Sequence, residues 1–247
     1  MNESIQTISL THLALAFVPV LAVLVILVKW SLDVKHSVYA VARMLGQLLL
    51  VGYVLAFIFD SDSGWIVFGI LVVMVIASSW IALGVVKTER RALFGYSLLS
   101  ILFGGGLVLV VITEGVVQLD PWYLPRYMIP LAGMIFANAM NSVSLVAERA
   151  ISELSRGESF ENARNIAFNA SLIPITNSLL AVGLVSLPGM MTGQILSGVS
   201  PLIAARYQIM VMCMIYGSSG IASALFLMLA KSKLQKQGSS LEHTNND

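Results

Sequence analysis

An all-helical, polytopic membrane protein with seven transmembrane helices, its N-terminus outside and its C-terminus cytoplasmic, is the fold class this sequence predicts, and three observations predict it. Hydrophobic residues make up 57% of the 247 and charged residues only 11%, with a mean hydropathy of +0.87, which is more apolar than a water-facing surface tolerates. Seven apolar stretches approach the about 20 helical residues needed to cross a hydrocarbon core ~30 Å thick. Lys and Arg crowd into alternate connections, the asymmetry that insertion leaves on cytoplasmic loops.

The seven stretches run Leu10 to Trp30, Val38 to Phe59, Trp65 to Val86, Ala92 to Ile112, Tyr127 to Ala147, Ile166 to Leu187 and Ala205 to Leu229. Glu3 but no Lys or Arg precedes the first, so a secretory signal is not expected and that run is read as a span. An outside N-terminus places Lys29, Lys35, Arg43, Lys87, Arg90, Arg91, Arg149, Arg156, Arg164, Lys231, Lys233 and Lys236 on the cytoplasmic side and only Arg126 and Arg206 outside. Trp65, Trp122 and Tyr123 then sit where an interfacial aromatic belt is expected. A formal net charge of +1 points to neither nucleic acid nor an acidic substrate. The single cysteine, Cys213, permits no internal disulfide and no multi-cysteine zinc site.

The whole of 1–247 reads as one transmembrane domain. Residues 1–125 form a four-helix scaffold half, rich in Val, Leu and Ile, whose few polar groups include Gln47, Ser78, Ser79 and the run Gly104-Gly105-Gly106. Residues 126–230 form a three-helix functional half with a cytoplasmic segment at 148–165, and 231–247 is a polar cytoplasmic tail. Nine of the twelve methionines lie between Met128 and Met228; they read as adaptable core in preference to a soft-metal path.

In the fifth span Asn138, Asn141 and Ser142 share one helix face. An amide facing lipid has no hydrogen-bond partner, so this face turns either to other helices or to a watery path. The sixth span repeats the theme with Pro174, Thr176, Asn177, Ser178, Gly183 and Pro188, where proline frees backbone groups. Gln194 and Gln208 complete the pathway candidates. Between the two spans, Gly157 reads as a helix stop and Ser155 with Glu158 as a capping box opening another short helix, the alternative being a solvated loop. The outer connection from Leu187 to Pro201 is glycine-rich and uncharged, as expected of a segment that re-enters the membrane or covers a pore mouth. In the last span Gly217, Ser218, Ser219, Gly220 and Ser223 give small-xxx-small spacing for close helix contact.

Catalytic readings fail on inspection. Gly217-Ser218-Ser219-Gly220 resembles a serine-protease G-x-S-G, yet the one histidine that follows is His243 in the tail. A retinal Schiff base needs a lysine inside the last span, and the first there is Lys231 at its exit. No Gly-Lys dipeptide provides a P-loop and no H-E-x-x-H a zinc site, so the chain itself is expected neither to hydrolyse ATP nor to act as an enzyme. Asp and Glu fall at helix ends or in loops, where they do not serve midplane proton coupling.

Two stretches, Ile129 to Asn141 (IPLAGMIFANAMN) and above all Val182 to Met212 (VGLVSLPGMMTGQILSGVSPLIAARYQIMVM), closely resemble the FetB-like family of ABC-transporter permeases. The resemblance covers about a third of the chain, roughly Ile129 to Met214. It implies an inner-membrane permease, homodimeric and paired with a separate ATP-binding cassette subunit that holds ATP and Mg, with no cofactor on this chain. It further implies export of iron or a related metal, plant relatives being associated with aluminium tolerance and with a proposed nucleotide-sugar cargo. Coupling to the ATPase then falls to Glu148, Arg149, Glu153, Arg156 and Gly157, with Glu153 and Gly157 nearest the family's coupling element; metal ligands stay unassigned. The chain departs from the family in a shorter cytoplasmic loop and in Asn177 and Leu180, where the family carries an Asp and a Lys. Two rival readings are a carrier or channel working without an ATPase, and a membrane sensor or assembly factor that recruits a cytoplasmic partner.

Overall fold

A computed structural model describes residues 8–59, 63–86 and 89–236. Helix α1 (Leu10–Leu15) and helix α2 (Val18–Lys29) divide the first apolar stretch at Ala16 and Phe17. Pro19, in the first turn of α2, lacks the N–H that a continuous helix would use there. Helix α3 (Val34–Phe59) starts where the Asp33 carboxylate accepts from the His36 N–H at 3.2 Å. These three helices belong to one compact unit, Met1–Ser61, and the remainder to a second, Asp62–Asp247.

In the second unit, helix α4 (Gly64–Ala82) ends in a short 3-10 turn at Leu83–Val85, and helix α5 (Arg90–Val110) runs into a π-helical stretch at Val111–Val117. Helix α6 (Pro125–Leu154) is 30 residues long, helix α7 spans Phe160–Ala181, helix α8 is the short Gly189–Leu196, and helix α9 spans Pro201–Leu229. No strand occurs among the described residues, apart from an isolated bridge between Val182 and Ser186. Among the described residues, six stretches are long and apolar enough to cross a membrane: Leu10–Lys29, Val34–Leu55, Gly64–Val85, Arg90–Val117, Pro125–Leu154 and Pro201–Leu229. The chain is thus an all-helical, multi-pass membrane protein. Helix α7, which overlaps the stretch expected as the sixth of seven spans, falls outside that set, because its asparagines, with Glu161 and Arg164, dilute its apolar residues.

α6 and α9 form the centre of this unit, with α4 and α5 against them on one side and α7 on the other. Leu93, Ile101, Ile135, Val143, Met214 and Phe226 are fully or almost fully buried there. Between them lie buried hydroxyls that keep their own hydrogen bonds close to home. Ser79 donates to the Val75 carbonyl at 2.7 Å, Ser100 to Tyr96 at 2.7 Å, Thr113 to Leu109 at 3.0 Å and Ser218 to Ile215 at 3.1 Å. Such side chains are small enough for neighbouring helices to close on and leave no unpaired donor in hydrocarbon. Ser97 donates instead across helices, to the Ser79 carbonyl at 3.2 Å, joining α5 to α4.

The closest approach is that of α5 to α9. A methyl group added at Gly104 would stand 2.7 Å from both the Cα and the N of Ala222, and one at Gly105 would stand 2.9 Å from the Phe136 ring. Backbone atoms cannot swing aside as a side chain can. Gly104→Ala is therefore expected to destabilise the protein by about 1–3 kcal/mol. Gly106→Ala, whose methyl meets nothing within 4 Å, should be neutral or stabilising by up to about 1 kcal/mol; thermal unfolding of the two variants in detergent provides the comparison.

Candidate functional site

Two cavities meet along the seam of α6, α7 and α9. The larger, about 330 Å³, is lined by Met134 and Asn138 of α6, Ile175 and Ser178 of α7, Gln208, Val211, Met212 and Ile215 of α9, and by Val182, Ser186, Pro188, Gly189 and Met190 of the connection through α8. The smaller, about 100 Å³, is lined by Asn138, Asn141, Ser142, Leu145, Ser171, Pro174, Ile175, Ser178 and Ser219. Asn138, Ile175 and Ser178 line both, so the two are neighbouring stations of one polar seam.

Local sequence explains how each group is presented. Asn138 is half-buried and gives one amide hydrogen to the Met134 carbonyl at 2.8 Å, which holds its side chain against its own helix. Ser178 donates to the Pro174 carbonyl at 3.0 Å, leaving its oxygen to accept. Gln208 is only 5% exposed, and its Oε1 has no hydrogen-bond partner. A buried amide oxygen left unpaired costs about 1–3 kcal/mol, so this atom marks a place where a donor is called for. No charged residue lines either cavity among the described residues, and no three of His, Cys, Asp and Glu come together as a metal site.

Of the pathway candidates, Asn138, Asn141, Ser142 and Ser178 meet in the smaller cavity, and Asn138, Ser178 and Gln208 in the larger. Thr176 and Asn177 are exposed on α7 and line neither, and Gln194 stands on α8 with its Oε1 buried and unpartnered. Sequence reasoning missed Ser171 and Ser219, which look like packing serines, and Met134, Met190 and Met212, which come from three separate elements. Pro188, Gly189 and Met190, in the connection between α7 and α9, line one wall of the larger cavity.

α7 is bound on one face only. Ala163, Ala167, Ser171 and Ile175, four apart, are its buried residues. The opposite face carries Asn162, Asn165, Asn169 and Thr176, all exposed.

The segment 148–165 forms no separate helix. Residues 148–154 finish α6 and 160–165 begin α7. Ser155 does not open a capping box: it is the C-cap of α6, its hydroxyl donating to the Ser152 carbonyl at 2.8 Å. Gly157, at φ +83°, turns the chain as expected of a helix stop. Ser159 caps α7 by accepting from the Asn162 N–H at 3.3 Å. A capping residue needs extended backbone, and Ser159 with ψ 150° has it whereas Ser155 with ψ −14° remains helical.

Glu153 braces this hairpin tip. Its carboxylate is nearly buried and pairs with Arg149 at 2.8 Å and Arg156 at 3.5 Å, one on α6 and one beyond its end. Glu148 is exposed. At the same tip Lys231 lies over the Phe160 ring, 5.3 Å from its centroid, and Leu234 is fully buried, so the chain just past α9 packs against the start of α7.

The profile of an uncharacterised protein family, UPF0014, matches residues 10–234. A UPF0014 membrane protein of Synechocystis, slr1647, is 38% identical, covering 72% of this chain and 74% of its own. The probable iron export permease protein FetB of Escherichia coli is 34% identical, covering 91% and 92%. The Arabidopsis thaliana protein ALUMINUM SENSITIVE 3 is 32% identical, covering 85% and 81%. The resemblance read from Ile129–Met214 thus extends across almost the entire chain. No solved structure matches it.

Removing the Glu153 carboxylate leaves two arginines without a partner at a packed helix end. Glu153→Ala is expected to lower stability by about 1–2 kcal/mol, less than a fully buried pair because both arginines reach solvent. Glu148→Ala should stay within about 0.5 kcal/mol of the parent, and thermal unfolding measured side by side checks the difference.

Proposed function

We propose, from the premise that the chain belongs to the UPF0014 family, that it is the membrane-spanning permease subunit of an inner-membrane ATP-binding cassette transporter. It exports iron or a related metal species on ATP hydrolysed, with Mg²⁺, by a separate subunit. The observation that carries this reading is the likeness over nearly the full length of both chains to the Escherichia coli protein named as a probable iron export permease. The neutral seam of Asn138, Asn141, Ser142 and Ser178 supports it, since uncharged oxygens pass a cation on where carboxylates would hold it.

α7 is the seventh span. Its 22 residues, at about 1.5 Å each, match a core ~30 Å thick. Seven crossings put the termini on opposite sides, and the Lys and Arg distribution sets the C-terminus inside. The exposed amides of Asn169 and Asn177 have no partner among the described residues, and hydrocarbon offers none. A second copy of the chain, presenting the same stripe, supplies partners and turns the stripe, with Asn141 and Asn177, into the wall of a path between the copies.

The α6–α7 hairpin tip receives the ATPase. Glu153, tied to Arg149 and Arg156, makes the tip stiff, so a push from nucleotide-driven closure travels along two helices instead of bending a loop. In this reading α7 shifts against α6 and α9, and the seam that holds both cavities changes which side it opens to.

Purification from native membranes through a C-terminal tag, in mild detergent, should bring down an ATP-binding cassette subunit identified by mass spectrometry. Reversing the exposed charges at the tip, Arg156→Glu with Arg164→Glu, should cut that association at least about ten-fold while the chain stays monodisperse. Absence of such a subunit overturns the ABC reading in favour of a self-contained carrier, and undiminished association overturns the docking assignment.

Cells carrying Asn177→Leu or Asn141→Leu should export radioactive iron at least about five-fold more slowly, with the ATPase still bound. Unchanged efflux removes those amides from the path.

A further inference from the structure

Helix α3 carries a permanent charge inside a stretch long and apolar enough to cross a membrane. Arg43 stands nine residues beyond Val34, about 13 Å along the axis, within the apolar stretch Val34–Leu55. Its side chain is exposed and has no hydrogen-bond or ion-pair partner among the described residues. A guanidinium at that depth is costly unless an anion or water meets it. His36 lies seven residues before it and Gln47 four after, both exposed. At about 100° per residue the three fall within about 40° of one another on one face of the helix. Val34, Ser37 and Val41, the half-buried side chains at this end of α3, occupy the other side, so the polar stripe is not the face that is covered.

The surroundings of the stripe are positive. Residues 8–59 hold Lys29, Lys35 and Arg43 against one carboxylate, Asp33, and that one is engaged in capping α3 through the His36 N–H at 3.2 Å. Lys29, Lys35 and His36 cluster at the turn between α2 and α3, flanked by the exposed rings of Trp30 and Tyr39, residue types that settle at headgroup level. Side chains of a helix lean toward its N-terminus, which directs Arg43 back toward this turn with its stem along the apolar surface. A planar guanidinium meets two phosphate oxygens with two parallel N–H donors. Gln47 stands about 6 Å deeper along the axis, on the side of a lipid phosphate where the ester carbonyls lie, and its amide supplies donors for them.

We infer that this stripe binds the headgroup of an anionic phospholipid, with the phosphodiester on Arg43, an ester carbonyl on Gln47 and the outer part of the headgroup beside Lys35 and His36. A zwitterionic lipid carries the same phosphodiester, yet its cationic end would stand against Lys29 and Lys35. The bound lipid neutralises the charge within the span and fixes the depth at which α3 sits. The site goes beyond the transport reading and takes from it only the orientation that puts the α2–α3 turn on the cytoplasmic side.

Native mass spectrometry of the purified full chain, released from neutral detergent micelles doped with dioleoyl phosphatidylglycerol, reads the bound lipid directly. Saturable binding is expected, at least about ten-fold tighter than that of dioleoyl phosphatidylcholine. Arg43→Leu should weaken it at least about ten-fold, and Arg43→Lys should weaken it less, because the charge stays while the paired donors are lost. Arg91→Leu, which removes an exposed cation at the start of α5, is the control and should bind as the parent does. If Arg43→Leu is not monodisperse, Arg43→Gln takes its place. Equal affinity for the two lipids, a loss smaller than about three-fold in the Arg43 variant, or an equal loss in Arg91→Leu overturns the inference. Displacement of the lipid by inorganic phosphate assigns the stripe to a free anion and overturns it too. So does an Arg43 variant that keeps its lipid but loses a second copy or a soluble subunit, which makes the stripe a protein contact. Because the assay holds no ATPase or nucleotide, failure of the transport reading leaves this result readable, and failure here leaves that reading standing.

Discussion

The contact between Gly104 and Ala222 is the constraint from which the second unit's packing follows. With main chains this close, α5 and α9 exclude any side chain between them, and the surrounding positions fill with residues that tolerate such closeness: Ser97 and Ser100 on α5, Ser218, Ser219 and Ser223 on α9. In hydrocarbon there is no hydrophobic gain from bringing two apolar helices together, because lipid tails are as apolar as leucine. Close packing and internally paired hydroxyls do that work instead. α6 then docks against the same pair through Ile135 and Phe136, the latter filling the space beside Gly105.

α7 stands outside that arrangement, and its difference is physical. It meets its neighbours through buried Ala163, Ala167, Ser171 and Ile175 at four-residue spacing, with Phe160, Phe168 and Leu172 packed beside them against the core. One of its few side-chain bonds across the interface is the long Ser171–Ser223 contact at 3.4 Å. Both cavities lie on the seam between this helix and the packed pair α6 and α9, so the volume available to a ligand depends on how α7 sits against them.

Much of this was legible in the residues. The apolar runs located the helices, because hydrocarbon imposes length and composition on a span. The three-and-four spacing of Asn138, Asn141 and Ser142 placed them on one face of α6, where two cavities now lie. α7 was harder to read: its four asparagines weaken the hydropathy signal by which spans are recognised, yet they are what distinguishes its outer face. The capping serine was misassigned because Ser155 and Ser159 stand four residues apart on either side of Gly157, and spacing alone does not say which backbone is extended. The convergence of Met134, Met190 and Met212 was not legible at all. It arises from the return of the chain through α8, a tertiary event without a periodic trace in sequence.

The distribution of charge bears on how such a molecule is driven. Among the described residues, acidic groups occupy caps, connections, the π-helical stretch after α5, the last two turns of α6 and the first turn of α7, while the seam holds amides, hydroxyls and thioethers. A site without a titratable group has no proton to exchange with a gradient. The proposed energy source therefore enters where charge is concentrated, at the α6–α7 tip. There Glu153 holds two arginines, and the chain beyond α9 returns to pack Leu234 and Lys231 beside Phe160. One end of the α7 joint is thus gripped by three segments and the other, at Ala181, runs into the short turn that leads to α8. In the proposed mechanism a displacement applied at the gripped end travels along α7 to the cavity wall formed by Ser178, Val182 and Ser186, and so would change the shape of a chemically neutral site.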